Sequence, residues 1–169
     1  TIAAAHPPPT ARSFALLLSS ALPVAFRASL LCAPSLRFGS SVVAMLAPYV
    51  TGPKQAKELL LTGQDRVTAQ RCHDMGLVNR VVPDGRELEA AMELAEQVAS
   101  AAPRSVQITK QAINRAYDRA SMRDALAEAL DASISIEADA SPERVEFNRI
   151  RKEQGLKAAL DWRDRNAAR

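Results

Sequence analysis

The stretch Gly76-Leu77-Val78-Asn79-Arg80-Val81-Val82-Pro83 decides the fold class, because it reads most clearly as a β-strand. Its β-branched residues are typical of strands, and Pro83 closes the run since proline lacks the backbone N–H that a strand uses. A lone strand leaves its backbone groups unpaired, so this segment requires a partner strand. That partner is either missing from the chain or hidden in residues 1–36.

Helices are predicted on both sides of this strand. Thr68 is placed to cap a short helix that ends at Gly76. Asp84 with Glu87 resembles a capping box, in which the two side chains satisfy free N–H groups at a helix start. The remaining predicted helices begin at Pro53, near Pro103, at Ser121 with Asp124, at Ser141-Pro142 and after Gly155.

Three of these helices carry apolar residues at helical spacing, which predicts that the residues face a core. They are Leu88, Ala91, Met92, Ala95 and Val98 in the first helix, Ile108, Ala112, Ile113 and Ala116 in the second, and Leu126, Leu130 and Ile134 in the third. The chain has 169 residues, of which 47% are hydrophobic and 24% charged, so it is long and apolar enough to bury a core.

Composition argues against several classes of function. Cys32 and Cys72 are the two cysteines, and neither a disulfide framework nor a zinc-type spacing of ligands is present, so no metal is expected. Aromatic residues make up 4% of the chain, which disfavours stacking onto bases, and no nucleic-acid partner is expected. The apolar run from Phe14 to Phe26 is interrupted by Pro23 and is too short to cross a bilayer, so no membrane partner is expected.

The front of the chain differs from the rest. No acidic residue precedes Glu58, and three prolines follow one another from Pro7. Such a segment imitates a secretory or organellar targeting signal. Without a clear signal, we expect the cytoplasm, with the mitochondrial matrix as the alternative.

Five segments carry a family resemblance: LRFG at 36–39, APYVTGP at 47–53, AKELLLTG at 56–63, GLVNRVVP at 76–83 and TKQA at 109–112. In order and spacing they resemble the enoyl-CoA hydratase/isomerase family, also called the crotonase family. The resemblance implies an α/β fold, namely the C-terminal part of a crotonase-like ββα spiral with a helix-rich end, incomplete at the N-terminus. It divides the chain into a remnant of the crotonase core at 1–52, atypical at 7–27, and a helical, trimerisation-type region at 53–169.

The resemblance also implies a ligand and an assembly. The ligand is an acyl-CoA thioester, and coenzyme A enters as part of the substrate, so no separate cofactor is expected. The assembly is a homo-oligomer, either a trimer or a dimer of trimers. The positions that resemble substrate-binding residues of the family are Ser35, Phe38, Gly39, Phe147 and Lys152.

The same spacing exposes a departure from the family at the catalytic positions. Hydratases of the family carry two glutamates where this chain has Ala15 and Ser35, and Arg12 stands at the position of the second oxyanion donor. Neither alanine nor an isolated serine serves as an acid or base, so we assign no catalytic residue. Two compensating frame errors would produce an atypical patch of this kind within otherwise family-like sequence.

Two functions follow as expectations. The first is an enoyl-CoA hydratase or isomerase homologue of acyl-CoA and fatty acid metabolism. With Ala15 and Ser35 at the glutamate positions, its catalysis is expected to be impaired. The second is a non-catalytic structural or interaction subunit that assembles with complete family members.

Overall fold

A computed structural model describes residues 2–5, 18–31, 45–63, 66–138 and 141–166 of the chain. The strands are β1 (Ile2–Ala5), β2 (Leu22–Phe26), β3 (Leu30–Leu31), β4 (Val67–Thr68) and β5 (Arg80–Val82). The helices are α1 (Ala47–Thr51), α2 (Pro53–Leu61), α3 (Ala69–Asp74), α4 (Glu87–Ala99), α5 (Pro103–Arg119), α6 (Met122–Ala138), α7 (Pro142–Gln154) and α8 (Leu156–Asn166). This arrangement confirms the predicted α/β class with a helix-rich C-terminal part.

The strand predicted around Val81 has its partner near the front of the chain. The sheet has the order β1-β2-β5, and both pairings are parallel. The central strand β2 lies inside the atypical segment 7–27. The partner strand is therefore hidden in residues 1–36, the second of the two predicted alternatives. Because β2 precedes residue 52 and β5 follows it, one sheet joins the two predicted regions.

The strand β5 is shorter than the stretch that predicted it. It begins at Arg80, while Leu77 and Val78 precede it as buried, non-strand residues. The reason is local, because Gly76 has a φ of 81° and the N–H of Leu77 donates to the Cys72 carbonyl oxygen at 2.8 Å. That bond ends α3 in a left-handed turn, which delays the extended backbone by three residues.

The two faces of the sheet are covered by different helices. Val24 in β2 is fully buried and belongs to a cluster with Ala90 and Ala91 of α4. The next residue, Ala25, is also fully buried and belongs to the larger cluster on the opposite face. That cluster includes Ala47, Ala56, Leu59, Leu60, Ala69 and Cys72 from α1, α2 and α3. Alternation of side chains along β2 therefore places the sheet between two helical layers.

Two of the predicted helix starts are confirmed in detail. The Oγ1 of Thr68 accepts a hydrogen bond from the Arg71 N–H at 3.2 Å, at the start of α3. The Ser141 Oγ accepts from the Arg144 N–H at 3.2 Å, and Pro142 occupies the first turn of α7. Both side chains satisfy backbone donors that a helix start leaves free.

The capping box at Asp84 and Glu87 is a wrong prediction. The helix α4 begins at Glu87 after Arg86, and no side chain caps it. A tight turn intervenes, in which the Arg86 N–H donates to the Pro83 carbonyl oxygen at 3.1 Å. The Asp84 Oδ1 instead accepts from the Ala28 N–H at 3.3 Å, and so it ties the loop after β5 to the loop after β2.

The predicted core faces of the later helices are wrong at most positions, although Ala91 of α4 is buried as predicted. The helix α5 has no buried residue, and Ile108 and Ile113 are each 53% exposed. In α6, Leu130 is 50% and Ile134 is 59% exposed. In α4 the small Ala90 and Ala91 contact the sheet, while Leu88, Met92 and Val98 are exposed. The spacing of these residues is helical as predicted, but most of these side chains are exposed in the part of the chain that the structure describes.

Candidate functional site

The candidate site is the carboxyl edge of the parallel sheet, where the strands β1, β2 and β5 end. In open α/β sheets, ligands bind beyond the carboxyl ends of the strands. The loop after β2 contains Arg27, Ala28 and Ser29, and the loop after β5 contains Pro83 and Asp84. The loop after β1 belongs to residues 6–17 and lies outside the described residues.

Backbone hydrogen bonds hold two of these loops together. The Arg27 N–H donates to the Val82 carbonyl oxygen at 2.8 Å, and the Ser29 N–H donates to the Phe26 carbonyl oxygen at 2.9 Å. The Ser29 carbonyl oxygen in turn accepts from the Ala69 N–H at 3.1 Å, which anchors the loop to the start of α3. These hydrogen bonds fix the backbone of the two loops, so the chemistry that is possible at this edge depends on the side chains that the loops carry.

The catalytic positions inferred from the family resemblance are Ala15 and Ser35, and both lie outside the described residues. Phe38 and Gly39 lie outside them as well. By their identity, alanine and serine supply no carboxylate. Asp84, in the described loop after β5, is exposed, and its Oδ1 accepts from the Ala28 N–H.

The other two predicted substrate-binding residues, Phe147 and Lys152, lie on α7. Phe147 is half-buried and Lys152 is exposed. They are five positions apart, which is about 140° around an α-helix, so they do not share one face. The structure therefore places both on one helix without bringing their side chains onto a common surface.

The neighbouring Arg149 is engaged within α7 itself. Its Nη2 lies 2.6 Å from the Glu146 Oε1, and its Nη1 lies 2.7 Å from the Glu153 Oε2. The hydrogen bond and charge of Arg149 lower the pKa of Glu146 below its ordinary value. Two further basic residues of α7, Arg151 and Lys152, are exposed in its last turn, while Arg144 near its start is half-buried.

A cleft between α7 and α8 was not foreseen from the sequence. It has a volume of about 400 Å³, and its lining includes Ile150, Ala158 and Trp162 together with Arg149 and Arg165. The sequence showed Gly155 between two helices but not their packing angle, so a cleft could not be predicted. Phe147 and Lys152 do not line it.

The remaining candidate side chains have structural environments. Burial raises the pKa of the Cys72 thiol to about 12, so the thiol is protonated and unreactive at neutral pH. His73 lies in the last turn of α3, and its carbonyl oxygen accepts from the Gly76 N–H at 2.9 Å, as expected for a helix-end residue. Glu58 pairs with Arg71 at 3.3 Å. Asp65 lies outside the described residues.

The described residues show neither a metal-binding cluster nor a membrane-spanning helix. Within them, no three His, Cys, Asp or Glu side chains are grouped so that they could hold a metal ion. In the same part of the chain, no helix combines the length and the apolar character that a membrane crossing requires.

The chain has an α/β fold, in which a parallel sheet lies between helical layers and a long helical part follows. Comparison with known proteins identifies the family to which this fold belongs. The sequence profile of the enoyl-CoA hydratase/isomerase family matches residues 16–143. The chain belongs to the enoyl-CoA hydratase/isomerase family.

Two solved structures and one sequence relative illustrate the likeness. An enoyl-CoA hydratase/isomerase from Xanthobacter autotrophicus Py2 superposes with a TM-score of 0.84 and 37% identity, over 91% of this chain and 57% of that one. A carnitinyl-CoA dehydratase from Mycobacterium avium 104 gives a TM-score of 0.70 and 27% identity, over 81% of this chain and 54% of that one. A Thermus thermophilus protein assigned as an enoyl-CoA hydratase is 38% identical over 113 residues, which are 66% of this chain and 44% of the relative. The chain spans about half the length of the relatives it matches.

Proposed function

We propose that this chain binds acyl-CoA thioesters and lacks efficient enoyl-CoA hydratase or isomerase activity. The observation that carries the proposal is the absence of a carboxylate at positions 15 and 35 in a member of this family. The names of its structural neighbours include a hydratase/isomerase and a carnitinyl-CoA dehydratase, which share a CoA thioester and differ in the acyl part. The shared feature supports CoA thioesters as the ligand class and leaves the acyl chain open.

The chemistry explains why those two positions matter. Addition of water to an enoyl thioester develops negative charge on the thioester oxygen, and two backbone N–H groups stabilise it by several kcal/mol, about 3 for one donor. One carboxylate then activates the water and another delivers a proton to carbon. Ala15 holds no proton, and Ser35 has a hydroxyl whose ordinary pKa is far too high for this transfer. Arg12, at the second donor position, also has a side chain where the acyl group needs close approach to the backbone.

The proposed ligand contacts include Ser35, Phe38 and Gly39, with Phe147 and Lys152 on α7. The exposed Lys152 suits a CoA phosphate, and the half-buried Phe147 suits the adenine ring. Because these two side chains lie on different faces of α7, the proposal assigns them separate contacts rather than one shared subsite.

We also propose that the chain assembles with itself as a trimer or a dimer of trimers. Support comes from the apolar side chains that α5 and α6 leave exposed, among them Ile108, Ile113, Leu130 and Ile134. Uncovered apolar surface of this kind marks sites of protein association. The same exposure favours a second candidate function, a non-catalytic subunit that assembles with complete family members.

One experiment separates these functions. The purified chain is titrated with crotonyl-CoA in a calorimeter, and the same samples are assayed for consumption of the enoyl thioester. Binding without consumption is the expected result. Consumption at a rate typical of enzymes, about 1 per second or faster, would contradict the proposal. No detectable binding would leave the assembly role alone.

A further inference from the structure

The cleft between α7 and α8 combines apolar side chains with charged ones. Ile150 of α7 is 6% exposed, and Ala158 and Trp162 of α8 are half-buried, so the cleft offers apolar surface to a ligand. Its volume of about 400 Å³ lies within the range of small-molecule sites. The charged residues in the lining therefore decide which kind of small molecule it suits.

Two of the four charged residues in the lining neutralise each other. The Arg149 Nη2 lies 2.6 Å from the Glu146 Oε1, and its Nη1 lies 2.7 Å from the Glu153 Oε2 outside the lining. A guanidinium group held between two carboxylates has little positive charge left for a ligand, and the Glu146 carboxylate is likewise occupied.

The other two charged residues, Asp161 and Arg165, stand on either side of Trp162 on α8. They are four positions apart, which is about 6 Å along the axis of a helix, and both are exposed. Among the described residues, the ion pair within α8 joins Arg163 to Asp164 at 2.6 Å, and neither Asp161 nor Arg165 belongs to one. The cleft thus presents one carboxylate and one guanidinium group to a ligand.

We propose that this cleft binds a free α-amino acid with an apolar side chain. The Arg165 guanidinium group donates two parallel hydrogen bonds to the carboxylate of the amino acid, and the Asp161 carboxylate accepts from its ammonium group. The apolar side chain packs against Ile150 and Trp162. A simple anion or cation would leave one of the two protein charges unmatched, and an uncharged apolar molecule would leave both.

The cleft is separate from the contacts proposed for coenzyme A. Phe147 and Lys152 do not line it, and the carboxyl edge of the sheet belongs to another part of the chain. The inference therefore does not depend on acyl-CoA binding, and either proposal can fail without the other.

The first test varies the ligand and uses the fluorescence of Trp162, the single tryptophan of the chain. L-Leucine should change this fluorescence with a dissociation constant of about 1 mM or lower, which a ligand of this size reaches at ordinary efficiency. Three analogues each lack one part of it: L-leucinamide lacks the carboxylate, N-acetyl-L-leucine the ammonium group and glycine the apolar side chain. We expect each to bind at least about tenfold more weakly.

The second test varies the protein. Arg165→Gln and Asp161→Asn should each weaken binding of L-leucine at least about tenfold, because each removes one charged partner. Lys157→Gln on α8 and Glu143→Gln on α7 remove exposed charges outside the lining and are the matched controls, which should bind as the original chain does. Circular dichroism shows that each variant is folded.

A cross-comparison assigns each charge to its partner. If Arg165 holds the carboxylate, L-leucinamide should bind the original chain and Arg165→Gln with similar affinity, since the contact is already absent. N-Acetyl-L-leucine should behave in the same way toward Asp161→Asn. Failure of L-leucine to alter the fluorescence up to about 10 mM would overturn the inference. Equal losses in the control variants, or displacement of bound L-leucine by coenzyme A, would overturn it as well.

Discussion

Phe26 at the end of β2 lies opposite Val82 at the end of β5 in a parallel register, and the Arg27 N–H extends that pairing to the Val82 carbonyl oxygen at 2.8 Å. The pairing links residues more than 50 positions apart and makes the front of the chain part of the sheet. A segment of unusual composition, which includes Pro23, thus supplies the central strand and one of the loops at the candidate site.

Because β2 is buried, truncation of one of its side chains should lower the stability of the chain. Val24 is fully buried, so Val24→Ala should lower the free energy of unfolding by about 2 kcal/mol, through lost apolar contact and the cavity that remains. The control is Leu61→Ala on α2, where the side chain is 80% exposed and the expected change is within about 0.5 kcal/mol. Urea unfolding measures both, and equal effects would contradict the central position of β2.

The cap of α3 gives a second prediction. Removal of the Thr68 hydroxyl in Thr68→Ala leaves the Arg71 N–H without its acceptor and should cost about 1 kcal/mol of stability. Thr68→Ser keeps the oxygen and is the matched variant, which should lose much less. Thermal unfolding compares the two, and an alanine variant as stable as the serine variant would show that the cap does not contribute.

Cys72 makes stability depend on alkaline pH. Burial raises the pKa of its thiol from 9.0 to about 12, so the folded chain holds this proton where the unfolded chain releases it. The contribution of the buried, protonated thiol to the free energy of unfolding is complete below pH 9 and is lost as the pH rises toward 12. Because other groups also titrate there, the test is the difference in unfolding free energy between the original chain and Cys72→Ala. That difference should shrink from pH 9 upward, and a constant difference would refute the prediction.

Lys152 gives a prediction for the ligand. If its ammonium group contacts a CoA phosphate, Lys152→Ala should weaken binding of coenzyme A about fivefold, the amount expected for one exposed ionic contact. Lys57→Ala on α2 removes another exposed lysine from a different part of the chain and should leave the affinity unchanged. Calorimetric titration with coenzyme A compares them, and equal losses would indicate a general effect of charge.

Local chemistry made part of this fold predictable. Thr68 and Ser141 start helices because their hydroxyls accept from nearby N–H groups, and both partners of each hydrogen bond lie within four residues of sequence. The strand at Val81 was likewise evident from its β-branched residues and Pro83. The family was identified from the order of five short segments, and its profile match confirms it.

Other features depend on residues far apart and were missed or misassigned. Asp84 was predicted as a cap, but a tight turn separates it from α4 and its carboxylate bonds to Ala28, 56 residues earlier. Ile108 and Leu130 were predicted in a core, yet helical spacing shows only that a face is apolar and not what covers it. The α7–α8 cleft depends on how two helices cross, which their sequences do not state.

The central claim is that a member of this family without carboxylates at positions 15 and 35 binds enoyl thioesters without hydrating them. Its most direct test is the hydration rate of crotonyl-CoA, measured for the original chain, for Ala15→Glu with Ser35→Glu, and for the matched Ala15→Gln with Ser35→Gln. We predict no hydration above background for the original chain and the glutamine variant, and a measurable gain with the two glutamates. Efficient hydration by the original chain, equal in all three proteins, would contradict the account.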